Sequence, residues 1–362
     1  MKTWEVETPA ILVDLDRLER NVRRAQAYCD AHGIRFRPHM KTHKTPEIGR
    51  MQIAQGAVGL TCAKLGEVEI MAAAGLSDLM LAYPVWGAGK LRRLTAVAER
   101  CCLTVVFDSA EVADAIAEAA RAAGTPIGAL VEVDTGMRRC GVAPGPALVD
   151  LCRRVAELPG LTFRGLMTYQ GWQNGPTDAR EAQMRAEGDR VAAVLNELSD
   201  AGLTCEAVSG GTSPGLFFAH LAPAITENRS GTYVFNDRNM VSSGAATWDD
   251  CAMRIAVTVI SNAVSGQIVV DGGSKTFTSD ATPGFDGFGR FVEDPELTLW
   301  KMNEEHGYTR LGAGSPPRRI GERLHVIPNH VCVAMNMQDE IWVHRGDEVV
   351  DCWKIAARGK LR

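Results

Sequence analysis

The sequence predicts an α/β chain: a (β/α)8 barrel of the TIM type with a second, C-terminal all-β domain. Three observations predict it. Strand-like apolar runs alternate with amphipathic helical segments eight times, polar and glycine-rich clusters fall at the ends of those runs, and from about Ala252 helical periodicity gives way to short alternating strands. In such a barrel the helices cover the outside and the C-terminal strand ends form the working face. An open doubly wound sheet would bring a Gly-rich dinucleotide turn after an early strand, and the sequence has none.

Taken in order, Thr8-Pro-Ala-Ile-Leu-Val-Asp-Leu-Asp16 reads as an apolar strand. A helix from Leu18 to His32 follows, with Leu18, Val22, Ala25 and Cys29 on one face. The barrel strands are then expected at 34–41, 58–64, 78–85, 103–109, 126–134, 161–171, 205–212 and 228–237, with intervening helices such as 65–74, 110–123, 145–157 and 179–201. The change of texture puts the barrel at 16–250 and the β domain at 1–15 together with 251–362. Residues 252–273 read as two strands joined by a turn, and 323–327, 330–337, 340–344 and 348–354 alternate in the same way.

Composition narrows the function. A chain of 362 residues, 46% hydrophobic and 23% charged, is that of a soluble globular protein large enough for two domains. Its net charge of −5 supplies no basic field for nucleic acid or an anionic membrane. No apolar run reaches the roughly 18 residues of a membrane span, and the N-terminus lacks the apolar core of a signal peptide. Ten cysteines without paired spacing read as reduced, mostly buried thiols, so a cytoplasmic enzyme is expected.

The chemistry gathers at the strand ends. Arg37-Pro-His-Met-Lys-Thr-His-Lys44 closes the first barrel strand, because Pro38 fixes extended geometry before it and cannot donate to a ladder. Lys41 between His39 and His43 is a candidate Schiff-base lysine, since neighbouring positive charge disfavours the ammonium form. A basic surface loop is the bland alternative for that octet. Strand five ends in Glu132-Val-Asp134-Thr-Gly-Met-Arg-Arg139-Cys-Gly141, strand six in Thr168-Tyr169-Gln170-Gly171, strand seven in Ser209-Gly-Gly-Thr212, and strand eight in Ser230-Gly-Thr-Tyr233. Small residues there would let backbone N–H groups close on a phosphate. A lysine, a phosphate cradle and an arginine in one barrel mouth point to pyridoxal phosphate. In the β domain, His330 and Cys332 two apart on a strand would share one face, either as a core thiol beside a satisfied histidine or as a pair leaving positions open as a catalytic metal requires. Trp86 and Trp172 are candidates for the pocket wall, whereas Lys275, Arg121, Arg153 and Arg154 read as solvated charges.

These motifs resemble the fold-type III pyridoxal-phosphate enzymes, and within them the D-threonine aldolase and D-serine dehydratase group, along nearly the whole chain. The resemblance makes Lys41 the Schiff-base lysine and sets Arg139 toward the cofactor's phenolate oxygen and Tyr169 near its ring. It assigns Ser209, Gly210, Gly211, Thr212, Gly231, Thr232 and Tyr233 to the phosphate. It also implies a divalent metal at His330 and Cys332, both needed for catalysis. Thiolate softness favours zinc over manganese or magnesium. Many aldolases of the group have Asp at the position of Cys332, whereas the dehydratases have Cys. A homodimer is implied, its sites lying where one chain's barrel mouth meets the other's β domain, with a small D-amino acid as substrate. Glu304-Glu-His-Gly307 resembles a group motif without an assigned role.

The expected reaction is cleavage of D-β-hydroxy-α-amino acids, D-threonine class, to glycine and an aldehyde. The lysine and Ser-Gly-Gly-Thr segments favour it. His-x-Cys and Leu81-Ala-Tyr-Pro84 pull toward a D-serine-type dehydratase yielding a keto acid and ammonia. An amino-acid racemase would need a second base and no metal. A non-catalytic cofactor carrier would be a bare barrel.

Overall fold

The computed structural model describes residues 1–171 and 175–362, so Trp172 lies outside the described residues. The chain divides into two compact units. One comprises Arg24–Lys41, Pro46–Gly231 and Lys360–Arg362, and the other Met1–Arg23, Thr42–Thr45 and Thr232–Gly359.

In chain order the elements begin with β1 (Ala10–Asp14), α1 (Leu15–Ala31), β2 (Arg35–Phe36), α2 (Pro46–Ala54), β3 (Leu60–Cys62), α3 (Leu65–Ala73), β4 (Asp78–Leu81) and α4 (Ala88–Ala98). They continue with β5 (Cys102–Phe107), α5 (Ala110–Ala123), β6 (Ile127–Val133), α6 (Pro146–Glu157), β7 (Leu161–Thr168), α7 (Thr177–Asp200), β8 (Ala207–Gly210) and β9 (Glu227–Asn228). The eight strands β2 to β9 form one parallel sheet in the order β2-β9-β8-β7-β6-β5-β4-β3. Its two ends meet. Thr61 N–H donates to Pro38 O and Met40 N–H to Thr61 O, each at 2.9 Å, and His39 bridges Thr61 in parallel. The predicted (β/α)8 barrel is therefore closed, and the closing residues are those leading into Lys41.

Side-chain alternation sorts the two faces of this sheet. Leu79, Leu81, Val105, Phe107, Ala129, Val131 and Val133 are buried on one face, as strands covered by helices require. Met80, Val106, Leu130, Met167 and Ala207, one from each of β4 to β8, cluster on the other. That second face also carries charge. Arg37 Nε donates to Glu227 Oε2 at 2.9 Å and Nη1 to Asp78 Oδ1 at 2.5 Å, with Ser209 Oγ donating to Glu227 Oε1 at 2.7 Å. Glu227 balances the buried arginine, so removing either partner would strand a buried charge, at about 3–5 kcal/mol.

The other unit is built on β10 (Met253–Ser261), β11 (Gln267–Val270), β12 (Gly289–Phe291), β13 (Thr298–Met302), β14 (Gly307–Arg310), β15 (Arg323–Pro328), β16 (Glu340–Arg345) and β17 (Glu348–Lys354). The sheet runs β13-β14-β11-β10-β1-β16-β17, with β15 on β10 and β12 on β15. β1 lies between β10 (antiparallel, Ala10 opposite Ala256) and β16 (parallel, Leu12 opposite Trp342). Val6, Ala10, Leu12 and Ala256 form a core on one face, with Trp342 and Val349 packed against them. Two short helices interrupt the β texture, α8 (Arg238–Ser242) and α9 (Val331–Met337).

Two expectations are corrected. The eighth barrel strand ends at Asn228, and the stretch to Asp237 holds a 3-10 turn at Thr232–Val234 and the N-cap of α8. Residues 330–337 are no strand: His330 is the N-cap of α9, and Cys332 lies in its first turn. Val331-Cys-Val333 mimics strand alternation, but Asp237 caps the segment as a helix. The ten cysteines are free thiols, of which only Cys29, Cys62, Cys152 and Cys251 are buried. No described helix is long and apolar enough to cross a membrane.

Candidate active site

Lys41 follows the barrel-closing bridge directly. The His39 N–H donates to Ser230 O at 3.0 Å, tying the loop before Lys41 to the loop after β9. Lys41 itself is exposed, while Met40, Thr42 and His43 on either side have no exposed surface. An exposed four-carbon amine thus stands between buried neighbours, an arrangement that suits a covalently bound cofactor.

The loop after β6 presents Arg139 and is held by two carboxylates. Asp134 Oδ1 accepts the N–H groups of Arg138 at 3.0 Å and Gly136 at 2.9 Å, which hold its carboxyl below its ordinary value. Asp108 Oδ2 accepts the Gly141 N–H at 2.8 Å. Gly141 has φ +108°, and a Cβ there would come within 2.6 Å of Asp134 N, so only glycine closes this loop. Arg139, about half exposed, lies with its guanidinium carbon 4.7 Å from the Tyr169 ring centroid and its Nη2 3.9 Å from Glu132 Oε1. Burial pushes the Glu132 carboxyl up, against the pull of Arg229 and Arg139.

Two residues missed by sequence reasoning brace this corner. Glu187 of α7, fully buried, accepts from Thr135 Oγ1 at 2.7 Å and Thr168 Oγ1 at 3.0 Å, so one carboxylate fixes the ends of β6 and β7. Arg229 is buried just past β9, donates from Nη2 to Thr168 O at 2.7 Å, and is lowered by burial against the attraction of Glu132 and Glu227. The sequence set Arg229 inside an expected strand at 228–237, where nothing marked it as a buried donor.

Ser209 and Gly210 end β8 and Gly211 and Thr212 follow it, all four buried. The Ser209 hydroxyl is committed to Glu227, so this residue offers backbone alone to a ligand. Gly211 has φ +90°, and a Cβ on it would fall 2.4 Å from Asn228 Nδ2. The Gly231 N–H donates to Ser213 Oγ at 3.1 Å. Thr232 and Tyr233, both buried, open the stretch belonging to the other unit, where Asn236 Nδ2 donates to Tyr233 O at 3.0 Å.

These residues fit pyridoxal phosphate by their unsatisfied donors. Asn228 Nδ2, against the Gly211 turn, and Arg229 Nε are buried without a hydrogen-bond partner. An orphaned buried donor is costly unless a ligand satisfies it. With Arg139 and Lys41, the barrel mouth offers donors and an amine to a molecule carrying a phosphate, a phenolate and an aldehyde.

The metal candidates lie in the other unit. Burial would lower the His330 imidazole, yet Cys332, beside it and hydrogen-bonded to it, with Asp237 and Asp280, holds it raised to about 9. Cys332 Sγ lies 3.3 Å from the hydroxyl of Thr42, the residue after Lys41. Among the described residues no group of three His, Cys, Asp or Glu side chains could hold a metal. An imidazole and a thiol alone fit an ion that keeps open positions for water and substrate. Lys275 pairs with Glu304 at 3.0 Å and Glu305 at 2.8 Å, all three exposed, and Trp86 is 63% exposed.

Comparison with known proteins bears on both units. Residues 13–239 match the model for the alanine racemase N-terminal domain, and residues 252–344 that for a putative serine dehydratase domain. The chain is 34% identical to a D-threonine aldolase of Arthrobacter over 99% of its own length and 94% of the relative's. The crystal structure of a D-threonine aldolase from Filomicrobium marinum superposes with a TM-score of 0.94 at 32% identity, covering 100% of this chain and 98% of that one. A cysteine-to-alanine mutant of a D-threo-3-hydroxyaspartate dehydratase, solved in the metal-free form, gives 0.90 at 30% identity over 98% of both chains.

Proposed function

The chain belongs to the fold-type III pyridoxal-phosphate enzymes, joining an alanine racemase N-terminal domain to a serine dehydratase domain, and on that premise we propose a metal-assisted lyase of D-β-hydroxy-α-amino acids. The reaction is carbon–carbon cleavage, with D-threonine-class substrates yielding glycine and an aldehyde, as the likeness to two D-threonine aldolases supports. The observation that carries the metal assistance is the 3.3 Å approach of Cys332 Sγ to the hydroxyl of Thr42, which follows Lys41 in the chain.

Pyridoxal phosphate, when bound, supplies the electron sink that makes bonds to Cα breakable. The chain's own residues do the rest. Lys41 would hold the cofactor through its amine and, when not so engaged, would serve as the base for the α-proton. Arg139 would donate to the phenolate oxygen, its guanidinium set over the Tyr169 ring. Gly210, Gly211 and Asn228 Nδ2 would receive the phosphate, with Thr212, Gly231, Thr232 and Tyr233 around it. His330 and Cys332 hold the divalent ion, zinc by the softness of the thiolate, which would supply Lewis acidity at the substrate's β-hydroxyl. Loss of the hydroxyl proton leads to cleavage. Loss of the hydroxyl itself after removal of the α-proton leads to a keto acid and ammonia, the dehydratase reading that Cys332 and the dehydratase relative favour second. The enzyme acts as a cytoplasmic homodimer in which the barrel mouth of one chain meets the β domain of its partner.

Product analysis decides. D-Threonine should give glycine and acetaldehyde, faster with added zinc. Pyruvate and ammonia from D-serine, with no glycine from D-threonine, would move the assignment to dehydration. Exchange of the α-proton with inversion, unaffected by chelator, would move it to racemisation.

A further inference from the structure

Asp237 takes no part in the chemistry above, yet it is buried with no exposed surface. Its Oδ1 accepts the N–H of Met240 at 2.9 Å, and its Oδ2 accepts the N–H of Val331 at 3.1 Å. The same Oδ2 lies 4.0 Å from His330 Nδ1. One carboxylate therefore caps two helices, α8 next to it in the chain and α9, whose Val331 lies 94 residues from it. A single helix cap needs no charge, since serine or threonine serves as well and avoids burying an ion. What those shorter side chains lack is a second acceptor for another segment.

The segment it holds is the one that carries His330 and Cys332. Neighbouring contacts add to the grip: Asn239 N–H donates to Asn329 O at 3.2 Å, and Arg238 Nη1 to Asn329 Oδ1 at 3.2 Å. Carboxylates behind metal-bound histidines orient the ring and strengthen it as a ligand. At 4.0 Å the carboxylate is beyond hydrogen-bond range of the ring in this structure, so its hold is through the Val331 N–H.

We propose that Asp237 is a positioning residue for the divalent metal, fixing the direction in which the His330 and Cys332 side chains leave the start of α9. This rests on the reading of those two residues as the metal ligands.

The test uses the cofactor-loaded protein stripped of metal by chelator and titrated with cobalt, whose thiolate charge-transfer absorption reports Cys332, and with zinc by competition. Asp237→Asn keeps the shape but offers one oxygen to two N–H groups. Asp237→Ser keeps the α8 cap and loses the reach to Val331. Both should retain the cofactor's visible band and bind zinc about 10- to 100-fold more weakly. Asp237→Ser should regain thermal stability over Asp237→Asn without regaining zinc affinity, which a purely structural role would not produce. Zinc affinity within twofold of the unmutated protein in both, with His330→Ala losing the ion, would overturn the role of Asp237 and leave the ligand pair standing. Undiminished zinc binding by His330→Ala would overturn the ligand pair, and this inference with it. Failure of both Asp237 variants to fold would assign the residue to folding alone and equally overturn it.

Discussion

Replacing Lys41 tests the cofactor reading most directly. Lys41→Ala should lose the visible absorption of the purified protein, and borohydride treatment of the unmutated chain should leave a pyridoxyl group on the peptide containing Lys41. A label on Lys44 or Lys275 instead would sink the assignment. His330→Ala should keep the band, because none of the donors around Lys41 depends on it, while D-threonine cleavage falls to background. Cys332→Asp should shift the metal preference from zinc toward manganese, read by activity after reloading each ion. Gly211→Ala should weaken cofactor binding. Its Cβ has no room beside Asn228 Nδ2, and φ +90° adds strain of about 1–3 kcal/mol. Lys41, Arg139 and Tyr169 stood out as candidates because each sits in a run of unusual residues at a strand end. Glu187, Arg229 and Asp237 were not. Each acts through partners 19 to 94 residues away, and nothing local marks a carboxylate that will be buried between two such segments.

Elements with a strong period were legible, and those made by long-range capping were not. α5 has the bounds its periodicity predicts, with Ala113, Ile116, Ala117 and Ala120 forming one buried stripe. α9 was missed because a seven-residue helix is too short to show a period, and two β-branched residues in its first turn argue for strand. The β12–β15 pair offers a pH test. Glu293, just beyond β12, accepts from the His325 N–H at 2.9 Å and Nδ1 at 2.5 Å, and these bonds hold its carboxyl below the ordinary value despite burial. A carboxylate lowered in the folded state stabilises above its unfolded pKa, and that contribution is lost as pH falls through the lower, folded value. Glu293→Gln should therefore cost about 1 kcal/mol near pH 7 and progressively less below pH 4.5, read by thermal unfolding across pH. A gap between the two proteins that stays constant down to pH 3 would refute the assignment.

For the whole molecule, sedimentation velocity should give a dimer under conditions of full activity. A fully active monomer would rule out a site shared between two chains. The barrel was legible as eight alternations and the β domain as a change of texture. The interleaving of the two units was not, because it rests on the short Thr42–Thr45 insert and on a C-terminal Arg362 whose carbonyl accepts the Gly66 N–H at 3.0 Å.

The position of β1 between β10 and β16 also sets a timetable. Its first partner residue, Met253, is synthesised some 240 residues after it, and Val343 later still. At about 5–20 residues per second, Ile11, Leu12 and Val13 wait on the order of ten to fifty seconds at the ribosome without the strands that cover them. A nascent chain halted before β10 should therefore expose an apolar strand and recruit chaperones, while one released after β17 should not, and ribosome profiling of chaperone-bound chains would locate the change.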